Sequence, residues 1–292
     1  MEYLIHIAII FAIYAILGIS LNLVVGYTGL LSVTQAAFYG IGAYTTAILL
    51  TAFGMNFFIA LILGIILAAL VGLLIGFVLS KFNDDYYALA SFGFNIIIFS
   101  VFLNWQELTR GPLGIPGIVR PILSLLNYNL KFNSNLSFLI LALLFLILAY
   151  FISRFLVNSP FGRVLKAIRE DEDAIQVFGY RTIYFKLAIF VISAAMASVA
   201  GSLFASYISF IDPSTFGLNE SIFILAIVIL GGLANLRGSI LGALFLILLP
   251  EILRFVGLPS DIAAQTRQVL YGAILILLML YKPEGLKGEY KL

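Results

Sequence analysis

Stretches of twenty or more apolar residues recur from one end of this chain to the other, and they fix its environment before anything else is considered. Wound as a helix at about 1.5 Å per residue, such a stretch just crosses a hydrocarbon core of about 30 Å. Hydropathy places nine apolar runs, six of them of twenty residues or more, near residues 4–25, 29–53, 56–80, 86–105, 135–156, 184–208, 219–236, 238–255 and 268–281. The 292 residues are 63% hydrophobic and 10% charged, and their mean hydropathy is +1.14, which excludes a water-soluble globule. The runs are long and show little strict alternation, which selects helices over a transmembrane barrel. The expectation is an all-α, polytopic transmembrane helix bundle of about 8–10 spans in the lipid bilayer, one domain over 1–292. The first run lacks a basic start and exceeds the apolar core of a signal peptide, so it reads as a retained span.

Alternating the spans divides the 16 Lys and Arg residues unevenly. One side takes Lys81, Arg154, Arg163, Lys166, Arg169, Arg181, Lys186, Arg237, Lys282, Lys287 and Lys291. The other takes Arg110, Arg120, Lys131, Arg254 and Arg267. Cytoplasmic flanks carry the basic excess, so the richer side is inside. The N-terminus and segment 106–135 then lie outside, and the C-terminus and loop 158–183 inside.

That inner loop holds most of the charge in a chain that has little. Ser159 to Gly179 reads SPFGRVLKAIREDEDAIQVFG, in which Arg163, Lys166 and Arg169 precede the acidic run Glu170, Asp171, Glu172 and Asp173. So dense a cluster has no place in hydrocarbon and belongs in water or against another protein. Ser159 followed by Pro160 reads as an N-cap with proline in the first helical position, and Gly179 as a stop. One or two short helices are expected, with Asp171 as a second cap if the chain breaks at the acidic run. Val164, Leu165, Ile168, Ile175 and Phe178 would form their apolar face.

Gly26 to Tyr44, GYTGLLSVTQAAFYGIGAY, is unusually polar for a span. Gly40 and Gly42, with Tyr27, Thr34, Gln35 and Tyr39, fit either close helix packing or a broken helix on a translocation path, and the two readings can hold on opposite faces. The stripe Ser193, Ala194, Ala197, Ser198, Ala200, Gly201 and Ala205 is better read as a packing surface. Ile229 to Phe245 resembles the Gly26 to Tyr44 segment faintly, a weak hint of internal duplication. Asn104 to Pro121 is too rich in Gly and Pro for one helix. Arg110, Gly111, Gly114 and Gly117 within it are candidates for an outer docking platform, and Trp105 for an interfacial anchor.

Catalytic sets are missing. There is one histidine, His6, and no cysteine, and neither a G-x-S-x-G turn nor a phosphate-binding loop occurs. No catalytic residue, metal or cofactor is expected, nor a nucleic-acid partner. Ion coupling would leave a titrating group deep in a span, yet Glu220 and Glu251 both fall near predicted span ends. Asn22, Asn95 and Asn104 are the other polar candidates. Driving force is therefore expected from a separate ATPase, with the charged loop helix as the part that receives it.

Four segments carry a resemblance that covers nearly the whole chain in order. SPFGRVLKAIREDEDAIQVFGY resembles the cytoplasmic loop of permease subunits of branched-chain amino-acid ABC importers. LNLVVGYTGLLSVTQAAFYGIGAY, YYALASFGFNIIIFSVFLNWQELTRGPLGIPGI and LYGAILILLMLYKPEGL look like the same family, and the closing K-P-E-G-L favours its LivM type over the LivH type. The resemblance implies a transport subunit that hydrolyses no ATP itself. It implies as partners a second, LivH-type permease, two cytoplasmic ABC ATPase subunits and an extracytoplasmic amino-acid-binding protein, in a bacterial or archaeal inner membrane. It implies that Gly162, Arg163, Lys166, Ala167, Ile168, Arg169, Glu170 and Asp171 make the ATPase-coupling contact. Asn95 is a pathway candidate, standing where family permeases often carry a glutamate. Urea and short-chain amide importers have similar permeases, and a self-sufficient channel or secondary transporter is the competing class.

Overall fold

The computed structural model describes residues 2–82, 84–125, 128–132 and 134–255, with 269, 272–273 and 285–286 beyond them. It is a helical bundle. In chain order come α1 (Glu2–Thr28), α2 (Gln35–Thr51), α3 (Phe57–Leu79), α4 (Asp84–Asn104), the short α5 (Gln106–Thr109) and α6 (Asn135–Asn158). They are followed by α7 (Pro160–Glu170), α8 (Glu172–Val177), α9 (Thr182–Ile208), α10 (Leu218–Gly231) and α11 (Leu236–Phe255). Among the described residues, sheet is confined to two small antiparallel pairs. Strand β1 (Ile115–Pro116) pairs with β4 (Phe210–Ile211), and β2 (Ile122–Leu125) with β3 (Tyr128–Lys131).

Among the described residues, five helices are long and apolar enough to cross a membrane: α1, α3, α4, α6 and α9. Two of the nine expected spans are not continuous helices, and the pair 219–236 and 238–255 is bent by 120° at the break before Leu236. The expected span 268–281 lies outside the described residues.

The helices sort by what covers them. α1 and α9 form the centre, and nearly every residue of α1 from Ile9 to Thr28 is buried. α3 shows how sequence pattern becomes packing. Phe57, Ala60, Leu61, Gly64, Ala68, Gly72, Ile75, Gly76 and Leu79 recur at spacings of three and four and are buried on one face. Ile59, Ile62, Ile66, Leu70, Leu73 and Phe77 occupy the other face and are exposed, as a lipid-facing surface requires. With no apolar solvent effect to drive association in lipid, contact depends on close approach. The stripe in α9 supplies it: a Cβ on Gly42 of α2 would overlap the Ser198 carbonyl, and one on Gly201 the Tyr39 carbonyl.

A second tie holds α1 to the bend between α10 and α11. The Asn22 amide nitrogen donates to the Ser239 hydroxyl at 2.6 Å and the Asn235 carbonyl at 3.0 Å, and Oδ1 accepts from Ala234 N at 3.0 Å. Asn22→Leu is expected to cost about 1–3 kcal/mol by leaving these buried groups unmet, read as a lower midpoint of thermal unfolding in detergent.

Candidate functional site

The second expected span is helical only in its outer two thirds. α1 ends at Thr28, residues 29–34 are non-helical, and α2 starts at Gln35. Gln35 lies level with Ser20, whose hydroxyl accepts from its amide at 2.5 Å, so the extended segment climbs from the end of α1 back into the bundle. Exposed backbone inside a membrane is tolerated only where protein satisfies it. Here three remote side chains do so. Val33 N donates to the Ser91 hydroxyl at 3.0 Å, the Asn95 amide donates to the Val33 carbonyl at 2.9 Å, and Ala36 N donates to the Ser221 hydroxyl at 3.0 Å.

A complementary half-span begins where the seventh expected span does. After α9 the chain returns through β4 and a 3-10 turn (Pro213–Phe216) before α10 begins at Leu218. The Asn95 amide also donates to Ser221 Oγ at 2.7 Å, so α10 starts at the depth where α2 starts. Two half-spans of opposite sense therefore meet near the midplane, joined through Asn95 in the middle of α4.

Of the expected pathway residues, Thr34, Gln35, Tyr39 and Asn95 come together in this interior, each no more than 2% exposed. Gly40 and Gly42 pack closely against neighbouring helices: a Cβ on Gly40 would sit 2.5 Å from the Phe102 ring. Tyr27 lies apart, at the foot of α1, beneath the Lys166 ammonium at 5.6 Å.

At that same end sits the charged helix pair. Ser159 Oγ accepts from Gly162 N at 3.4 Å with Pro160 in the first turn, and Asp171 accepts from Ala174 N at 2.9 Å, so both expected caps are in place and the break falls at the acidic run. Gly162, Leu165 and Ile168 are buried, packed inward. Arg169 reaches from the last turn of α7 to donate to the Gly26 carbonyl, and Gly29 lies against its side chain. Glu172 pairs with the buried Lys186 and accepts from Thr182 at 2.7 Å, fastening α8 to the start of α9. A cavity of about 280 Å³ lies between Thr28, Gly29, Leu30, Asp171 and Lys186. Arg163, Glu170 and Asp171 remain exposed, while Lys166 and Ala167 are half-buried.

One expectation about this pair is corrected. Phe178 does not continue the apolar face of Leu165 and Ile168. The break at Asp171 re-aims α8, and Val177 and Phe178 stand 87% and 77% exposed at its end. The sequence signal was present, two bulky apolar residues just before the stop glycine, but the face they join depends on the angle at the break.

The opposite end closes through the Gly- and Pro-rich segment. Arg110, Gly111, Gly114 and Gly117 all have positive φ. Gly111 and Gly114 are buried, and a Cβ at Gly114 would overlap the Ile211 carbonyl, so these two shape the turn onto β4; Arg110 and Gly117 are exposed. Trp105 is 52% exposed at the end of α4.

The position of Glu220 also departs from the sequence reading. It falls near a predicted span end, yet α10 begins at half depth, and the Tyr14 hydroxyl from the middle of α1 donates to its carboxylate at 2.5 Å. Among the described residues, no group of three or more His, Cys, Asp and Glu gathers as a metal site.

Discontinuous half-spans meeting inside a helix bundle are how membrane transport proteins place polar groups at depth, and this chain is a multi-pass permease rather than an enzyme. It belongs to the branched-chain amino acid transport system / permease component family, whose profile matches residues 3–279. It is 36% identical to the high-affinity branched-chain amino acid transport system permease protein LivM of Escherichia coli, over 97% of this chain and 69% of that protein. A probable LivM of Methanocaldococcus jannaschii is 27% identical over 96% of this chain and 91% of its own length. A LivH permease of Salmonella typhimurium is 25% identical, covering 94% and 91%. No solved structure matches the chain.

Proposed function

We propose that the chain is the LivM-type permease of an ATP-driven importer for branched-chain amino acids, working in the inner membrane of a bacterium or archaeon. A LivH-type permease completes the translocation path, two cytoplasmic ATPases power it, and an extracytoplasmic binding protein delivers substrate to the Arg110 end. The observation that carries the reading is the link from α7 to the first broken span. Arg169 holds the carbonyl of Gly26, and residues 29–34 follow at once, so a push on α7 is delivered to the one stretch of that span without helical stiffness. Loop 158–183 is the coupling element. Arg163, Glu170 and Asp171 offer it charge, and Val177 and Phe178 an apolar knob.

Phe178→Asp tests the docking. In proteoliposomes of the four-subunit transporter, the ATPase subunits are expected to co-purify with the variant permease at least about tenfold less well, since apolar anchors dominate such interfaces. Undiminished co-purification and uptake would remove α8 from the interface. Uptake by this chain alone, without ATP, would favour a self-sufficient transporter.

A further inference from the structure

We infer that Glu220 lines the permeation path and receives the ammonium group of the amino-acid substrate at half depth in the membrane, an assignment that rests on reading the chain as an amino-acid permease. Three contacts set the depth. Tyr14, at the middle of α1, donates to the carboxylate; the next residue, Ser221, accepts from Ala36 at the start of α2 and from Asn95 at the middle of α4. The side chain sits in the first turn of α10, where free N–H groups favour a negative charge.

Glu220 is only partly buried, and its neighbours Asn219 and Ile222 are exposed, so this turn of α10 lies where the protomer surface opens. A carboxylate and a carboxamide turned to hydrocarbon at this depth would be strongly disfavoured, and ionisable groups inside membranes face other protein or water-filled cavities. This face of α10 and α1 is therefore turned to an aqueous path. Its chemistry selects the occupant. Among the described residues no Lys, Arg or His pairs with Glu220, which leaves the carboxylate without a cation from them. A hard metal ion wants about six oxygens, and here one carboxylate and one phenol are offered. Beside them stands the Phe223 ring, edge-on to Tyr14 at 5.4 Å. A carboxylate beside aromatic rings suits an ammonium group, which brings three N–H donors and a compact positive charge.

Because the chain contains no cysteine, a thiol introduced at Asn219 is the only one in this subunit. In the complete transporter, Asn219→Cys is expected to react with a membrane-impermeant cationic thiosulfonate, and more slowly while a branched-chain amino acid is being transported. Glu220→Gln is expected to lower the amino acid moved per ATP hydrolysed by about tenfold, the scale of one charge-assisted hydrogen bond, with Glu220→Asp retaining most of it. Failure of the thiol to react, or full transport by Glu220→Gln, overturns the inference while leaving the permease reading intact. A wild-type transporter that moves no amino acid defeats both.

Discussion

Uptake by a transporter carrying Arg169→Glu is expected to fall by roughly ten- to a hundredfold while its ATPases stay bound. The factor follows from the bond removed, a charge-assisted hydrogen bond worth about 1.5–3 kcal/mol in the balance between two conformations. The guanidinium holds the Gly26 carbonyl, an acceptor left free where α1 ends, and the aliphatic stem packs against Gly29, where the chain turns at φ 75° into its extended stretch. Reversing the charge places a carboxylate against that carbonyl and against the cavity wall formed by Asp171 and Asp173. ATP hydrolysis would continue and transport would not follow it. Arg169→Lys keeps the charge but loses the planar fork, so partial recovery is expected. Equal uptake by the glutamate variant, measured per mole of assembled complex, would show that force reaches the bundle by another route.

The second large effect concerns the bundle itself. Gly201→Leu is expected to destabilise the protein by about 1–3 kcal/mol, with a lower unfolding midpoint in detergent and less folded protein recovered from membranes. A Cβ at this position would overlap the Tyr39 carbonyl and come within 2.8 Å of Ala43 N, so α2 and α9 must separate to admit it. Separation would also break the Thr46 to Ser202 hydrogen bond of 2.8 Å one turn further along. Gly93→Leu is the control, because a Cβ there meets nothing within 4 Å. If both variants unfold alike, the contact between α2 and α9 does not govern stability.

Part of this site was legible without coordinates. Ser159, Pro160 and Asp171 announced where α7 and α8 begin, because capping acts within three residues of the cap. The packing stripe of α9 was legible for a similar reason, since small residues at helical spacing have one common use. The direction of Phe178 was not, because a helix break resets the face on which each later residue falls. The interruption at 29–34 was legible only as one of two readings, a broken helix or a closely packed whole one, suggested by the polar residues of Gly26 to Tyr44. Residues 29–53 are apolar enough and long enough for a whole span, and hydropathy counts the cost of side-chain transfer without asking whether each backbone amide has a partner.

The chain's own residues thus determined that it enters a membrane as helices, which end is basic, and where the charged helix pair is capped. Each of these depends on transfer free energy, charge or hydrogen bonds between near neighbours in sequence. Only the tertiary structure decided that two spans stop at half depth and that Glu220 stands there with Tyr14. Extended backbone and the open first turn of α2 are stable inside the bundle because Ser91, Asn95 and Ser221 bond to them from 58, 62 and 185 residues away, and no local pattern encodes such partners.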